Sequence, residues 1–231
     1  MARDLVEVIK ARNLEGKAIA VGHSLGAVVA MIAEIENPGI FRGLWCFEPV
    51  LFPDLENGRK YSYFFASKAK GRRSDFASYT EAVEKFGRKI PTGLFHRECL
   101  RDYVEGGFRK RAGSGGVELK CSPKMESRTY MAGYETFRKG FNSRIGELGC
   151  PVVLACGSNV GDHNEVSRGS DAFVGDLRRG RLERYVNLGH FGPFEDPDFV
   201  ARRILTFIEE DVDEAKASGL PKYMTWNLSK I

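Results

Sequence analysis

The sequence predicts an α/β domain in which a mostly parallel sheet, flanked by helices, is interrupted by one helical cap insertion. Short apolar runs alternate with helix-period segments at both ends of the chain. The middle, residues 54–149, changes to a charged, aromatic and loop-rich character. A serine between two glycines also stands where one apolar run passes directly into a helical pattern.

The elements follow in order. The first residues read as an amphipathic helix with Leu5, Val8, Ile9 and Arg12 on successive turns and Gly16 as its stop. Ala18-Ile19-Ala20-Val21 is an apolar strand, and the pattern from Leu25 to Glu36 is a helix ended by Asn37-Pro38-Gly39. Gly43-Leu44-Trp45-Cys46-Phe47-Glu48 is the next buried strand, broken by Pro49 and Pro53. Helical patches near 79–86, 98–108 and 125–141 make residues 54–149 a cap. Inside it, Ala112-Gly113-Ser114-Gly115-Gly116 is a turn without the strand and helix that a phosphate loop needs, and residues 117–121 form a short extended segment. The core resumes with the buried run Pro151-Val152-Val153-Leu154-Ala155-Cys156-Gly157. Residues 182–188 form a last strand, and a closing helix from Pro197 to Ile208 has Phe199, Ile204, Leu205 and Ile208 as its apolar members. Residues 1–53 and 150–211 thus form the core, 54–149 the cap and 212–231 a C-terminal tail.

The 231 residues, 42% hydrophobic and 29% charged with a net charge of +4, fit one globular core of the soluble class. The basic clusters at 68–73, 109–111 and 178–181 read as solvated loops, with an anionic substrate such as a coenzyme A thioester as the lesser reading. No nucleic-acid motif accompanies them. Five cysteines without a C-x-x-C pair indicate neither a disulfide framework nor a zinc site, and a reducing compartment fits them. No apolar run is long enough to span a membrane, and no signal-peptide pattern opens the chain. No metal or cofactor is expected, because no cluster of histidines and carboxylates has ligand spacing. The ending Ser229-Lys230-Ile231 differs from the peroxisomal Ser-Lys-Leu address by one aliphatic residue. The expectation is binding to the peroxisomal import receptor, with a cytoplasmic location as the alternative.

Gly22-His23-Ser24-Leu25-Gly26 has the pattern and context of a nucleophile elbow. Small flanking residues permit a tight strand-to-helix turn, which pushes the Ser24 hydroxyl out above the sheet. A nucleophilic serine needs a base, and the base needs a carboxylate to hold its tautomer. His190, at the end of the last strand, is the candidate base. His23 is committed to the elbow, His96 lies in the cap, and His163 sits beside a candidate acid. Asp162, in the loop after the 151–157 run, is the first candidate acid, with Glu48 as the alternative and Glu165 a weaker third. The backbone N–H of Leu25, at a helix N-terminus, is the candidate oxyanion donor, and no second donor is visible.

On the elbow and the Gly189-His190 segment, residues 1–197 resemble the α/β-hydrolase superfamily. Phe47-Glu48-Pro49-Val50-Leu51-Phe52-Pro53, Tyr103-Val104-Glu105-Gly106-Gly107-Phe108 and Val117-Glu118-Leu119-Lys120-Cys121 look like a capped subgroup. Its fungal members include peroxisomal hydrolases of host-selective, AK-toxin type toxin biosynthesis. The resemblance implies a partial α/β-hydrolase fold whose earlier strands and His-Gly oxyanion loop are absent from this sequence. It also implies a serine hydrolase acting on an ester or thioester of a fatty-acid-like or polyketide acyl intermediate. A non-catalytic ligand-binding or interaction protein that keeps the fold is the alternative. With no strand before it, the apolar run at 18–21 would lie on an open sheet edge that favours self-association.

Overall fold

A computed structural model describes residues 1–113, 115–158 and 164–213, without the side chains of 164 and 165. Asp162, His163, Ser114, the Glu165 side chain and the tripeptide Ser229, Lys230 and Ile231 lie outside the described residues. The chain begins α1 (Ala2–Ala11), β1 (Ala18–His23), α2 (Leu25–Glu36), β2 (Phe41–Phe47), α3 (Leu55–Lys70), β3 (Asp75–Phe76) and α4 (Tyr79–Gly87). It continues through α5 (Arg97–Gly107), β4 (Phe108–Lys110), β5 (Val117–Leu119), α6 (Pro123–Arg138) and β6 (Val152–Gly157). The last elements are α7 (Asn164–Phe173), β7 (Gly180–Tyr185), the short α8 (Gly192–Glu195) and α9 (Pro197–Phe207).

Four strands form a wholly parallel sheet in the order β1-β2-β6-β7. Both faces are covered, which is why β2 and β6 read as nearly continuous apolar runs. Their alternation divides them: Leu44, Cys46, Val152 and Leu154 join α1, α2 and α7 in one cluster. Trp45, Phe47, Val153 and Ala155 meet Val200 and Phe207 of α9 in another. Each fully buried aliphatic side chain here contributes roughly 2 kcal/mol. Helix starts are capped as their sequences require: Asp196 accepts from Phe199 N ahead of Pro197, and Ser122 accepts from Met125 N ahead of Pro123.

The segment between β2 and β6 holds α3 to α6 and an antiparallel sheet of order β3-β5-β4 around Phe76, Val104, Phe108 and Val117. One of its features departs from the sequence reading, and the short extended segment expected at 117–121 is present as β5. The stretch after Pro53 is the four-turn helix α3, started by Asp54, which accepts from Asn57 N at 2.8 Å. Residues 117–119 pair on both sides, with β3 and β4. A second departure lies in α1, where Ile9 is buried as expected but Val6 takes the buried place instead of Val8, which is 57% exposed. Among the described residues β1 pairs only with β2, so its other edge is open and Val21 is 55% exposed. Among the same residues, no helix is long and apolar enough to cross a membrane.

Candidate active site

The turn from β1 into α2 imposes an unusual backbone on Ser24, with φ 55° and ψ −124°. A serine in this region is strained, and the surrounding bonds hold it there. Ser24 N donates to Phe47 O at 2.9 Å, and Ser24 O accepts from Ala27 N at 3.2 Å. The two flanking glycines differ in what they do. A Cβ on Gly22 would lie 2.5 Å from Ala27 Cα, so the close approach of strand and helix requires glycine there. A Cβ on Gly26 would meet nothing within 4 Å, so the expected steric need at that position is not present.

The loop after β7 is folded back by Gly189 N, which donates to Glu195 Oε2 at 2.8 Å, and by Gly192, which is pressed against Phe47 and Leu188. It delivers His190 so that Ser24 Oγ and His190 Nε2 stand 3.2 Å apart, across 166 residues of sequence. On the far side of the ring, His190 Nδ1 lies 3.4 Å from Glu48 Oε2. With the proton on Nδ1 directed at the carboxylate, Nε2 is left to accept the serine proton. Burial pushes the His190 pKa down to about 4, so the ring is neutral at neutral pH. The adjacent carboxylate pulls the other way, favouring the imidazolium once a proton arrives.

Glu48 follows β2 with φ 45° and is 2% exposed. Its backbone N donates to Ala155 O at 2.7 Å, which fixes its position over the end of β6. Its Oε1 accepts from Gly157 N at 2.9 Å and from Ser167 Oγ at 2.8 Å, leaving Oε2 turned toward the imidazole. The described residues therefore bring Ser24, His190 and Glu48 together, and the role of Asp162 falls outside them. Leu25 opens α2, where an unpaired N–H and the helix dipole favour negative charge.

A cavity of about 290 Å³ opens over these groups, walled by Leu25, Val50, Tyr61, Tyr130, Phe137 and Phe191. Helix α6 supplies the largest share of its wall, with Tyr61 and Ser62 added from α3, which packs against α6 in the segment between β2 and β6. The same segment grips the His190 loop: His96 N donates to Phe194 O at 2.7 Å, and the Phe95 and Phe194 rings stack at 4.9 Å. Two contributors were not visible in the sequence. His23 touches the His190 backbone through Nε2 at 2.7 Å, and Ser167 supports Glu48 from α7. Ser167 lies in no motif, and His23 occupies a variable position of the elbow motif, where its side-chain partner is not encoded.

Comparison with known proteins agrees with this architecture. A family model described as the alpha/beta hydrolase family matches residues 2–203. The chain is similar in structure to a peroxisomal alpha-beta-hydrolase of Saccharomyces cerevisiae, with a TM-score of 0.76 and 19% identity over 98% of this chain. It spans 64% of that protein's length. A thermophilic esterase from Thermogutta terrifontis aligns with a TM-score of 0.63 and 18% identity, covering 91% of this chain and 71% of the esterase. A thioesterase domain from the curacin biosynthetic pathway aligns with a TM-score of 0.62 and 16% identity, covering 88% of this chain and 71% of that domain. At such identities these likenesses concern the fold. No curated protein matches the chain.

Proposed function

Because the chain belongs to the alpha/beta hydrolase family, we propose that it is a serine hydrolase of an ester or thioester with Ser24 as nucleophile and His190 as general base. The 3.2 Å approach of Ser24 Oγ to His190 Nε2 carries this reading. In the first step Oγ attacks the acyl carbon and its proton passes to Nε2, while the Leu25 N–H faces the developing oxyanion. Collapse of the intermediate transfers the Nε2 proton to the leaving alkoxide or thiolate. Water, deprotonated by the same nitrogen, then hydrolyses the acyl-enzyme. The 3.4 Å separation of His190 Nδ1 and Glu48 Oε2 supports Glu48 as the carboxylate that holds the Nδ1 proton, while Asp162 lies outside the described residues.

The aromatic and aliphatic cavity wall suits an acyl group of fatty-acid or polyketide type. The likeness to a thioesterase domain of a biosynthetic pathway supports an acyl intermediate of toxin or secondary-metabolite biosynthesis, the setting that the sequence resemblance implies. Peroxisomal import through Ser229-Lys230-Ile231 is supported by that ending and by the likeness to a peroxisomal hydrolase. Deletion of the tripeptide from a tagged protein tests it, since an unchanged punctate distribution removes the claim. The open β1 edge supports self-association, which sedimentation of the Val21→Lys variant against the native chain checks.

Fluorophosphonate labelling tests the central claim. Rapid modification that disappears in Ser24→Ala and His190→Ala is expected. A native protein that is never labelled would instead be a ligand-binding relative that keeps the fold without its chemistry.

A further inference from the structure

The cavity is apolar near the serine and polar where α6 begins. The chain through α3 runs antiparallel to α6, as contacts before, within and after α3 show: Phe52 with Phe137 at 5.1 Å, Phe65 with Tyr130 at 5.6 Å, and Arg72 with Glu126 at 3.1 Å. A methyl at Gly133 would lie 3.9 Å from Leu25 Cδ1, so this part of α6 adjoins the residue after the nucleophile. Glu126 lies seven residues earlier on the helix, about 10 Å along its axis. Tyr130 stands one turn from Glu126, and both line the cavity.

These two side chains form a matched donor and acceptor. Arg72 contacts Glu126 through Oε1, and the Tyr103 hydroxyl lies beside the same guanidinium. Among the described residues no hydrogen-bond partner meets Tyr130 Oη. Burial holds the Tyr130 phenol above its usual range, so it remains a neutral donor. The Arg72–Glu126 pair is neutral as a unit and therefore selects no charged group. A carboxylate would be repelled by Glu126, whereas an alcohol could donate to Glu126 and accept from Tyr130.

Resting on the hydrolase reading, we infer that Glu126 and Tyr130 form a subsite for a hydroxyl group on the distal part of the acyl chain. An extended chain advances about 1.2 Å per bond, which puts that hydroxyl roughly eight bonds from the scissile carbonyl. A chain without it would cover the Tyr130 phenol without giving it a partner and leave Glu126 with Arg72 alone, at a cost of about tenfold in affinity.

The test compares p-nitrophenyl ω-hydroxyoctanoate with p-nitrophenyl octanoate. The native protein is expected to favour the hydroxy ester by about tenfold in kcat/KM. Glu126→Leu and Tyr130→Phe should each bring that ratio close to one. A merely structural role would lower both esters together and leave their ratio intact. A native ratio at or below one, or a ratio kept in both variants, overturns the subsite. Calorimetry of the two methyl esters on Ser24→Ala separates this claim from the one beneath it. Preferential binding of the hydroxy ester, with no turnover by the native protein, upholds the subsite and removes the hydrolase. Turnover of both esters without discrimination removes the subsite alone.

Discussion

His23 Nε2 lies 2.7 Å from the backbone carbonyl oxygen of His190, so the residue before Ser24 is tied to the residue that faces Ser24. A carbonyl only accepts, so the Nε2 of His23 carries its proton. Burial, with the neighbouring His190 acting in the same direction, lowers the His23 pKa to about 4, and the ring is neutral at neutral pH. Its ring also packs against Phe191 at 5.5 Å, on the loop it helps to hold. His23→Phe keeps that packing and removes the donor. If His190 is the base, steady-state ester hydrolysis should show kcat lower by about tenfold with KM changed less, since the lost bond positions the His190 ring and the phenyl ring keeps the cavity wall that His23 helps to line. A raised KM at unchanged kcat would mean that the contact does not position His190.

The two candidate acids can be separated by paired amide substitutions. Glu48→Gln keeps the shape of the side chain but replaces the carboxylate facing His190 Nδ1, and the wrong tautomer or an unstabilised imidazolium should lower kcat by about a thousandfold to ten-thousandfold. Asp162→Asn should change kcat by less than about tenfold on the same reading. The reverse result would assign the acid to Asp162 and leave Glu48 a buried structural carboxylate.

The sheet and the two groups that converge over it were legible because their signals are local. The Ala18-Ile19-Ala20-Val21 run, the glycine-flanked Ser24 and the Gly189-His190 ending each announce a strand end or a turn. Helix α3 was not legible. Asn57 and Gly58 near its start and a cluster of aromatics after it resemble a loop, yet Gly58 lies against Phe52, where a Cβ would come within 3.1 Å. Asp54 as a cap, followed by Tyr61 and Phe65 one turn apart, was the available signal. Partnerships such as Glu48 with Ser167, or His23 with the His190 carbonyl, depend on approach across more than a hundred residues, which periodicity does not encode. The reading of α1 failed only at Val8: Ile9 is buried and Leu5 packs on the core as expected, but a helix packed on α2 turns Val6 inward and leaves Val8 outside.

The elbow makes opposite demands on its two glycines and its serine. Gly22→Ala forces a Cβ to within 2.5 Å of the α2 backbone and should destabilise the protein by at least about 2 kcal/mol. Gly26→Ala enters open space in the first turn of a helix and should stabilise by up to about 1 kcal/mol. Ser24→Gly and Ser24→Ala both remove the hydroxyl. The glycine variant should be the more stable by about 1 kcal/mol, because only glycine accepts φ 55° and ψ −124° without strain. Urea denaturation of the four variants measures all three differences, and equal stability of the two Ser24 variants would show that the elbow stores no strain.

Two buried neutral histidines also set a direction for stability against pH. His23 and His190 each have a pKa lowered to about 4 in the folded protein, against 6.5 for the free side chain. Above pH 6.5 both states leave these rings unprotonated, and the stability they permit is fully present. As pH falls from 6.5 toward 4, the unfolded chain takes up protons that the folded chain excludes, so the free energy of unfolding falls through that window. Tm measured at pH 7 and pH 5 should therefore drop, and His23→Phe, which removes one of the two groups, should flatten the slope. On the proposed hydrolase reading, the same protonation controls catalysis. The acidic limb of kcat/KM should lie below pH 6.5, because His190 serves as base only while neutral and burial keeps it so. Glu48→Gln should displace that limb further toward acid, since the carboxylate that favours the imidazolium is gone. A limb at or above pH 6.5, together with a flat Tm, would place His190 in solvent-like surroundings and remove the buried relay.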